Sequence, residues 1–321
     1  MKKFLLALAA LTATVAHAQV KWDLPTGYAV GSFQTENVQQ FANEVDKATG
    51  GKLKITLHAN GSLYKANEIK RAVQTGQTQA GEFILSGAAN ENALFGVDSI
   101  PFLATGYDDA RRLYVAARPS LEKLLASQGI KLLFSVPWPG QSLYSVKPIT
   151  SADDFRGTKM RAYNPATARI AQLLKAQPTT IQLAELGQAL ATGTVENFLT
   201  SSASGIENKL FEQTKFFYPV NGWLPRNATV VNLKAFEALD KPSQEAVLKA
   251  AAGAEQRGWQ ASEQKDKEYI QELGVKGMKI SPPSESVRRE LRTIGDTMTA
   301  EWLKTAGAEG QAVIEAYRKP H

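Results

Sequence analysis

The segment Gly157-Thr158-Lys159-Met160-Arg161-Ala162-Tyr163-Asn164-Pro165-Ala166-Thr167 carries the most telling chemistry in the chain. Apolar residues flank Arg161 in what reads as a strand over Thr158 to Tyr163, running into a turn and then a helix from about Ala166 to Lys175. In open α/β sheets ligands bind in the crevice outside the carboxyl ends of the strands, which is where this pattern puts Arg161. A guanidinium there needs an anion, and its planar fork matches a carboxylate through two parallel hydrogen bonds. The same position also suits an interlobe salt bridge or a solvated strand end, and the residues alone leave these readings open.

Groups for covalent or metal chemistry do not assemble. Of three histidines, His17 lies in the leader-like start, His58 ends an apparent strand and His321 is the last residue, so neither a metal site nor a Ser-His-Asp triad is supported. No G-x-S-x-G, H-E-x-x-H, G-x-x-x-x-G-K-[ST] or G-x-G-x-x-G occurs. The pairs Asp108-Asp109 and Asp153-Asp154 precede apparent helices, where carboxylates serve as caps and complement the dipole. Asn227-Ala228-Thr229 matches a glycosylation sequon, a pattern too short to carry weight. No metal and no cofactor is expected.

The elements that must position Arg161 follow from changes of hydrophobic period. Val38, Phe41, Ala42 and Val45 mark a helical face closed by Gly50-Gly51, and Leu53, Ile55 and Leu57 alternate as a half-buried strand. A helix over Ala66 to Thr75 and a strand at Phe83-Ile84-Leu85 continue a β-α-β-α-β run, which implies an α/β fold with a largely parallel sheet. The grammar restarts after Pro137-Trp138-Pro139-Gly140, giving a second lobe with Ile181, a helix over Ala184 to Ala191, a strand over Val195 to Leu199 and a turn-rich Thr200 to Gly205. Pro242 to Leu273 fits one helix touching both lobes, or two helices broken near Gly253 or Gly258.

Composition sets the compartment. Lys2 and Lys3, an apolar run from Phe4 to Ala16 and the site Ala16-His17-Ala18 read as a signal peptide over residues 1–18, with the mature chain starting at Gln19 in the periplasm. A membrane anchor is the alternative, but the apolar run is short of the roughly 20 residues a span needs, and no later segment reaches that length. The mature chain is therefore expected not to insert in a membrane. It has no cysteine, so packing must stabilise it. The formal net charge of +6 is a mild bias towards anions; acidic and basic residues interleave, which argues against nucleic acid as a partner.

Gly157 to Thr167 resembles the G-x-K-x-R-x-x-x-x-A-T segment of the extracytoplasmic solute receptors of TRAP transporters, the DctP-type class. The resemblance runs along nearly the whole mature chain: Phe33 to Val45, the Gly61-Ser62-Leu63-Tyr64 turn, Ile100-Pro101-Phe102-Leu103, Glu185 to Asn197, and the helix after Leu239-Asp240-Lys241-Pro242. It implies a bilobal fold like type II periplasmic binding proteins, two α/β lobes with crossover strands and a long lobe-spanning helix. Lobe I would hold residues 19–138 and about 227–266, lobe II about 139–226 and 267–321. The resemblance further implies a small organic acid whose carboxylate is clamped by Arg161, a second polar contact from Thr200 or Ser201, and delivery to TRAP membrane subunits. Glu196-Asn197 stand where Asp-Gly is frequent, and Gln141 or Ser142 stand where sialic-acid receptors carry another arginine, so a sialic acid is not the expected ligand.

Around Arg161, the aromatic residues Phe33, Trp138, Tyr163 and Trp223 and the polar residues Gln34, Asn37, Ser86, Gln141 and Asn164 are the candidates for the rest of a pocket. They point to a partly apolar carboxylate rather than a polyhydroxylated sugar. A secreted hydrolase on the same scaffold, an ABC-type receptor and a subunit that presents ligand to a sensor kinase are the competing readings.

Overall fold

A computed structural model describes residues 19–319; the signal-peptide expectation for residues 1–18 lies outside the described residues, as does His321. The chain first builds β1 (Val20–Pro25), α1 (Phe33–Ala48), β2 (Leu53–His58), α2 (Ile69–Gln74), β3 (Ala80–Ile84), α3 (Tyr107–Ser127) and β4 (Ile130–Pro137). Alternation decides β2, where Leu53 and Ile55 are buried and Lys54 and Thr56 face water. A 3.6 period decides α1, whose Val38, Phe41, Ala42 and Val45 are buried and whose Ser32 caps the first turn by accepting from the Thr35 N–H. The helix expected from Ala66 starts at Ile69 instead, because the Glu68 carboxylate turns back to the Lys65 N–H at 3.1 Å and holds a separate turn.

After a crossover the second lobe follows: β5 (Ser142–Ser145), β6 (Lys159–Ala162), α4 (Pro165–Leu173), β7 (Gln177–Thr180), α5 (Leu183–Ala191), β8 (Asn197–Thr200), α6 (Ser202–Glu207) and β9 (Phe216–Tyr218). The chain then returns through β10 (Arg226–Asn232) and α7 (Leu233–Glu237), and ends with α8 (Lys241–Val275), β11 (Lys279–Ile280) and α9 (Glu285–Arg318). The stretch expected as turns, Thr200 to Gly205, is in part α6. Its Ser and Gly content hides a helix that Ser201 starts by accepting from the Ser204 N–H at 3.0 Å.

In the first lobe β1 pairs with β2 in parallel and joins β3 through the parallel bridge of Thr26 and Glu82, while β10 lies antiparallel between β3 and β4. The second sheet has the order β11-β9-β5-β8-β6-β7, in which β5 alone is reversed. The expectation of a largely parallel sheet thus holds except for one strand per lobe. Each reversed strand is the one that arrives from the other lobe. It starts at the cleft, whereas its neighbours end there.

Helix α8 is one continuous helix of 35 residues, about 52 Å long at 1.5 Å per residue. Its first half packs Val247, Ala250, Ala251 and Ala254 into the first core, and Leu273 near its end enters a second-lobe core. Gly258 marks a close approach rather than a break: a Cβ there would lie 2.4 Å from Val136 Cγ2 and 2.8 Å from Asn37 Nδ2. Helix α9 is likewise shared. Val287, Leu291, Ile294 and Met298 join the second-lobe core, and Val313 and Tyr317 join the first, with a kink at Gly307 (φ 60°, ψ −146°) between them. Helix α9 thus packs on cores of both lobes, and Trp302, ahead of the kink, already reaches the first-lobe core.

Candidate ligand-binding site

The carboxyl ends of the strands converge on a cavity of ≈ 250 Å³ between the lobes. From the first lobe come Gly27 and Tyr28 after β1, Asn60 and Gly61 after β2, and Ile84 ending β3; Trp138 follows β4. From the second come Arg161 and Tyr163 at the end of β6, Gln182 after β7 and Thr200 ending β8. Gln141 and Pro225 enter where the reversed strands begin. This is the crevice the strand-end rule places between sheets of this kind.

Arg161 is 4% exposed. Its Nε donates to the Ile181 carbonyl at 2.9 Å, its guanidinium lies 5.0 Å from the Tyr163 ring centre, and among the described residues no carboxylate forms an ion pair with it. Burial pulls its pKa down to about 10, against smaller opposing effects of Tyr163 and Tyr28. The group still carries its charge at neutral pH, and an anion in the cavity would supply the missing partner.

Around this charge the cavity is lined by both polar and aromatic groups. Tyr163 donates from its hydroxyl to Gln141 Oε1 at 3.1 Å, and Gln141 Nε2 donates to the Pro139 carbonyl at 3.2 Å, so these polar groups are held by their own bonds. The first turn of α5, Leu183 to Glu185, adds the positive end of a helix dipole. Tyr28 and Trp138, ring centres 4.9 Å apart, also line the cavity, as do Ile84 and Ala66. An anionic head and a flat, partly apolar body fit this mixed lining.

Five of the residues singled out from sequence line the cavity: Arg161, Tyr163, Thr200, Trp138 and Gln141. The others support it from behind. Phe33 packs edge-on against Trp138 at 5.2 Å, and Gln34 Nε2 reaches the Val136 and Pro137 carbonyls at 3.4 and 3.3 Å. Asn164 accepts from the Thr167 N–H at 2.8 Å and donates to Ser86 Oγ at 2.8 Å, a bond between the lobes. Ser201 caps α6, the Trp223 carbonyl accepts from the Gln141 N–H at 2.8 Å, and Asn37 donates to the Ala254 carbonyl of α8 at 2.9 Å. Sequence reasoning missed Tyr28, Asn60, Gln182 and Ser204. The strand-end rule that located Arg161, applied to β1, β2 and β7, would have found the first three.

The carboxylate pairs act within the fold. Asp108 and Asp109 sit in the first turn of α3, and Asp109 pairs with Arg112. Asp154 accepts from the Thr150 and Ser151 N–H groups at 2.7 and 2.9 Å, which holds its carboxyl below the usual range. His58 meets Asp23 at 2.7 Å, and Asn227 of the sequon match is buried, where no glycan fits.

Comparison with known proteins agrees with this geometry. Residues 26–305 match the bacterial extracellular solute-binding proteins of family 7, DctP. The chain is 50% identical to DctP6 of Bordetella pertussis, an extracytoplasmic solute receptor binding pyroglutamic acid, with a TM-score of 0.92 over 94% of this chain and 100% of that one. A TRAP solute-binding protein from a marine metagenome, of an unidentified microbe, specific for pyroglutamate and solved with co-purified pyroglutamate, is 42% identical, with a TM-score of 0.93 over 94% and 100%. DctP7 of Bordetella pertussis, also binding pyroglutamic acid, is 39% identical, with a TM-score of 0.92 over the same shares. The chain therefore belongs to the family 7 extracellular solute-binding proteins, the DctP receptors of TRAP transporters, and is a bilobal receptor for a small organic acid rather than an enzyme.

Proposed function

We propose that the protein binds pyroglutamate between lobes that close around it, and delivers it to TRAP membrane subunits after export has removed residues 1–18. The observation that carries this reading is Arg161, a buried cation that has no carboxylate partner among the described residues and lines a cavity together with the rings of Tyr28 and Trp138. The ligand carboxylate would take the guanidinium, the lactam N–H and C=O would meet Gln141, Tyr163, Thr200 or Gln182, and the ring would lie on Trp138 and Tyr28. The other lysine or arginine at the cavity, Lys65, is exposed at its rim. A dicarboxylate would bring a second charge into a cavity that offers it only neutral polar groups and the exposed Lys65, a costly burial. The three relatives that bind pyroglutamate support the same choice.

Thermal-shift and calorimetric titration of the mature protein with pyroglutamate, L-glutamate, L-proline and succinate tests the proposal. A ligand at 100 times its Kd adds about 2.7 kcal/mol, so pyroglutamate should raise the Tm and the others should not. A response to succinate with none to pyroglutamate would sink it. The intact mass of periplasmic protein should correspond to a start at Gln19, and uptake of labelled pyroglutamate by cells should require both this protein and the TRAP subunits.

A further inference from the structure

Behind the aromatic wall runs a buried polar chain that contact with a ligand does not explain. Glu82 on β3 is 1% exposed, and no cation pairs with it among the described residues. One of its oxygens accepts from the Thr26 hydroxyl at 2.5 Å and the other from Asn227 Nδ2 at 3.0 Å. Asn227 on β10 is also 1% exposed, and its Oδ1 accepts twice, from the Tyr28 hydroxyl at 3.0 Å and from the Trp138 indole N–H at 2.9 Å. These are the two rings of the cavity wall.

The chemistry allows one orientation of that amide. An indole N–H only donates, so it must meet the amide oxygen; a carboxyl oxygen can accept from the amide nitrogen, so Glu82 holds the other end. A rotated amide would set N–H against N–H at Trp138 and oxygen against oxygen at Glu82. Burial raises the Glu82 pKa, and a protonated carboxyl would keep the pattern, donating to Thr26 while still accepting from Asn227. The network also ties the crossovers together, since Asn227 lies on the strand that returns to the first lobe and Trp138 follows the strand that leaves it; the backbone N–H of Trp138 further donates to the Pro225 carbonyl at 2.8 Å.

We infer that Asn227, oriented by Glu82, is a positioning residue of this receptor: without lining the cavity, it sets the attitude of Trp138 and Tyr28 and so the preference for a flat, ring-shaped acid. The choice of a ring acid rests on the function proposed above. Two readouts separate the claims, the Trp138 indole N–H resonance of unliganded, 15N-labelled protein, assigned with Trp138→Phe, and the Kd for pyroglutamate. In Asn227→Leu the resonance should move and affinity should fall about tenfold to a hundredfold, because two donors lose their acceptor. In Glu82→Gln, which can still accept from Asn227, both should stay close to wild type, with Kd within about threefold. Should Asn227→Leu fail to fold, Glu82→Met keeps Asn227 but frees its amide to turn, and should shift the resonance and weaken binding. An unmoved resonance or near-normal Kd in Asn227→Leu, or a Glu82→Gln as impaired as Asn227→Leu, would overturn the inference. Wild-type protein that fails to bind pyroglutamate would defeat the ligand reading alone, and the indole resonance would still decide the role of Asn227.

Discussion

Arg226 and Arg161 are both almost wholly buried, 1% and 4% exposed, and each lies over a tyrosine ring, Tyr114 at 4.5 Å and Tyr163 at 5.0 Å. Their charges meet different fates. Arg226, in the first lobe, faces Asp98: Nε stands 3.3 Å from Oδ2, an ion pair not aligned as a hydrogen bond, and its backbone N–H donates to the same oxygen at 3.0 Å. Arg161, in the second lobe, has among the described residues only the neutral Ile181 carbonyl as acceptor. Among the described residues one buried cation is paired from within, and the other lines the cavity without a carboxylate partner.

The largest expected effect lies on the paired side. Arg226→Met leaves Asp98 buried without its cation, and losing one member of such a pair costs about 3–5 kcal/mol, read by urea unfolding of the unliganded protein. On the unpaired side the loss should appear in affinity instead. Arg161→Ala should weaken pyroglutamate binding by about 2–5 kcal/mol, roughly 30-fold to a few thousand-fold, while the unliganded Tm barely changes. Arg161→Lys should rescue little, since an ammonium lacks the planar fork. Near-normal affinity in Arg161→Ala would erase the contrast between the two arginines.

A smaller effect sharpens it. Replacing both partners, as Arg226→Met with Asp98→Leu, should recover most of the stability that the single change loses, because no unpaired charge remains. A double variant as unstable as the single one would mean that shape, not charge, makes the site indispensable.

A last expected effect concerns a buried group at the lobe boundary. Glu207 accepts from the Phe33 N–H at 3.0 Å through one oxygen, its other oxygen is buried without a partner, and burial pushes its pKa up to about 8 from 4.5. Glu36 nearby adds to the rise and Lys265 opposes it. Between those values the folded protein holds a proton that the unfolded chain has released, so stability falls as pH rises through the window. The unliganded Tm should be lower at pH 8.5 than at pH 5, and Glu207→Gln should flatten that slope; an equal slope in both proteins would remove Glu207 as its source.

Much of the frame is legible along the chain. The 3.6 period of Val38, Phe41, Ala42 and Val45 and the alternation of Leu53, Ile55 and Leu57 produce α1 and β2 as read, and the length of α8 follows from a stretch without proline after Pro242. Reading failed where polar residues are satisfied by distant partners. Strand β10 carries buried Arg226, Asn227 and Thr229, and the small polar residues of α6 pack against the spine, where the Ser202 hydroxyl donates to Asp266 at 2.7 Å. Neither segment shows the apolar rhythm that marks an element.

The sequence by itself determined the alternating α/β elements and put Arg161 at a strand end, both of which depend on local period and on residue type at an element's end; the class of receptor came from the resemblance of whole motifs, Gly157 to Thr167 foremost. Only the tertiary structure decided what surrounds that arginine. Asp98 reaches Arg226 across 128 positions, and Asn227 reaches Tyr28 across 199, so no local pattern could show which buried cation is paired or what holds the aromatic wall. The crossovers bring strand ends from both lobes to one cavity, where a buried arginine stands among residues far from it along the chain.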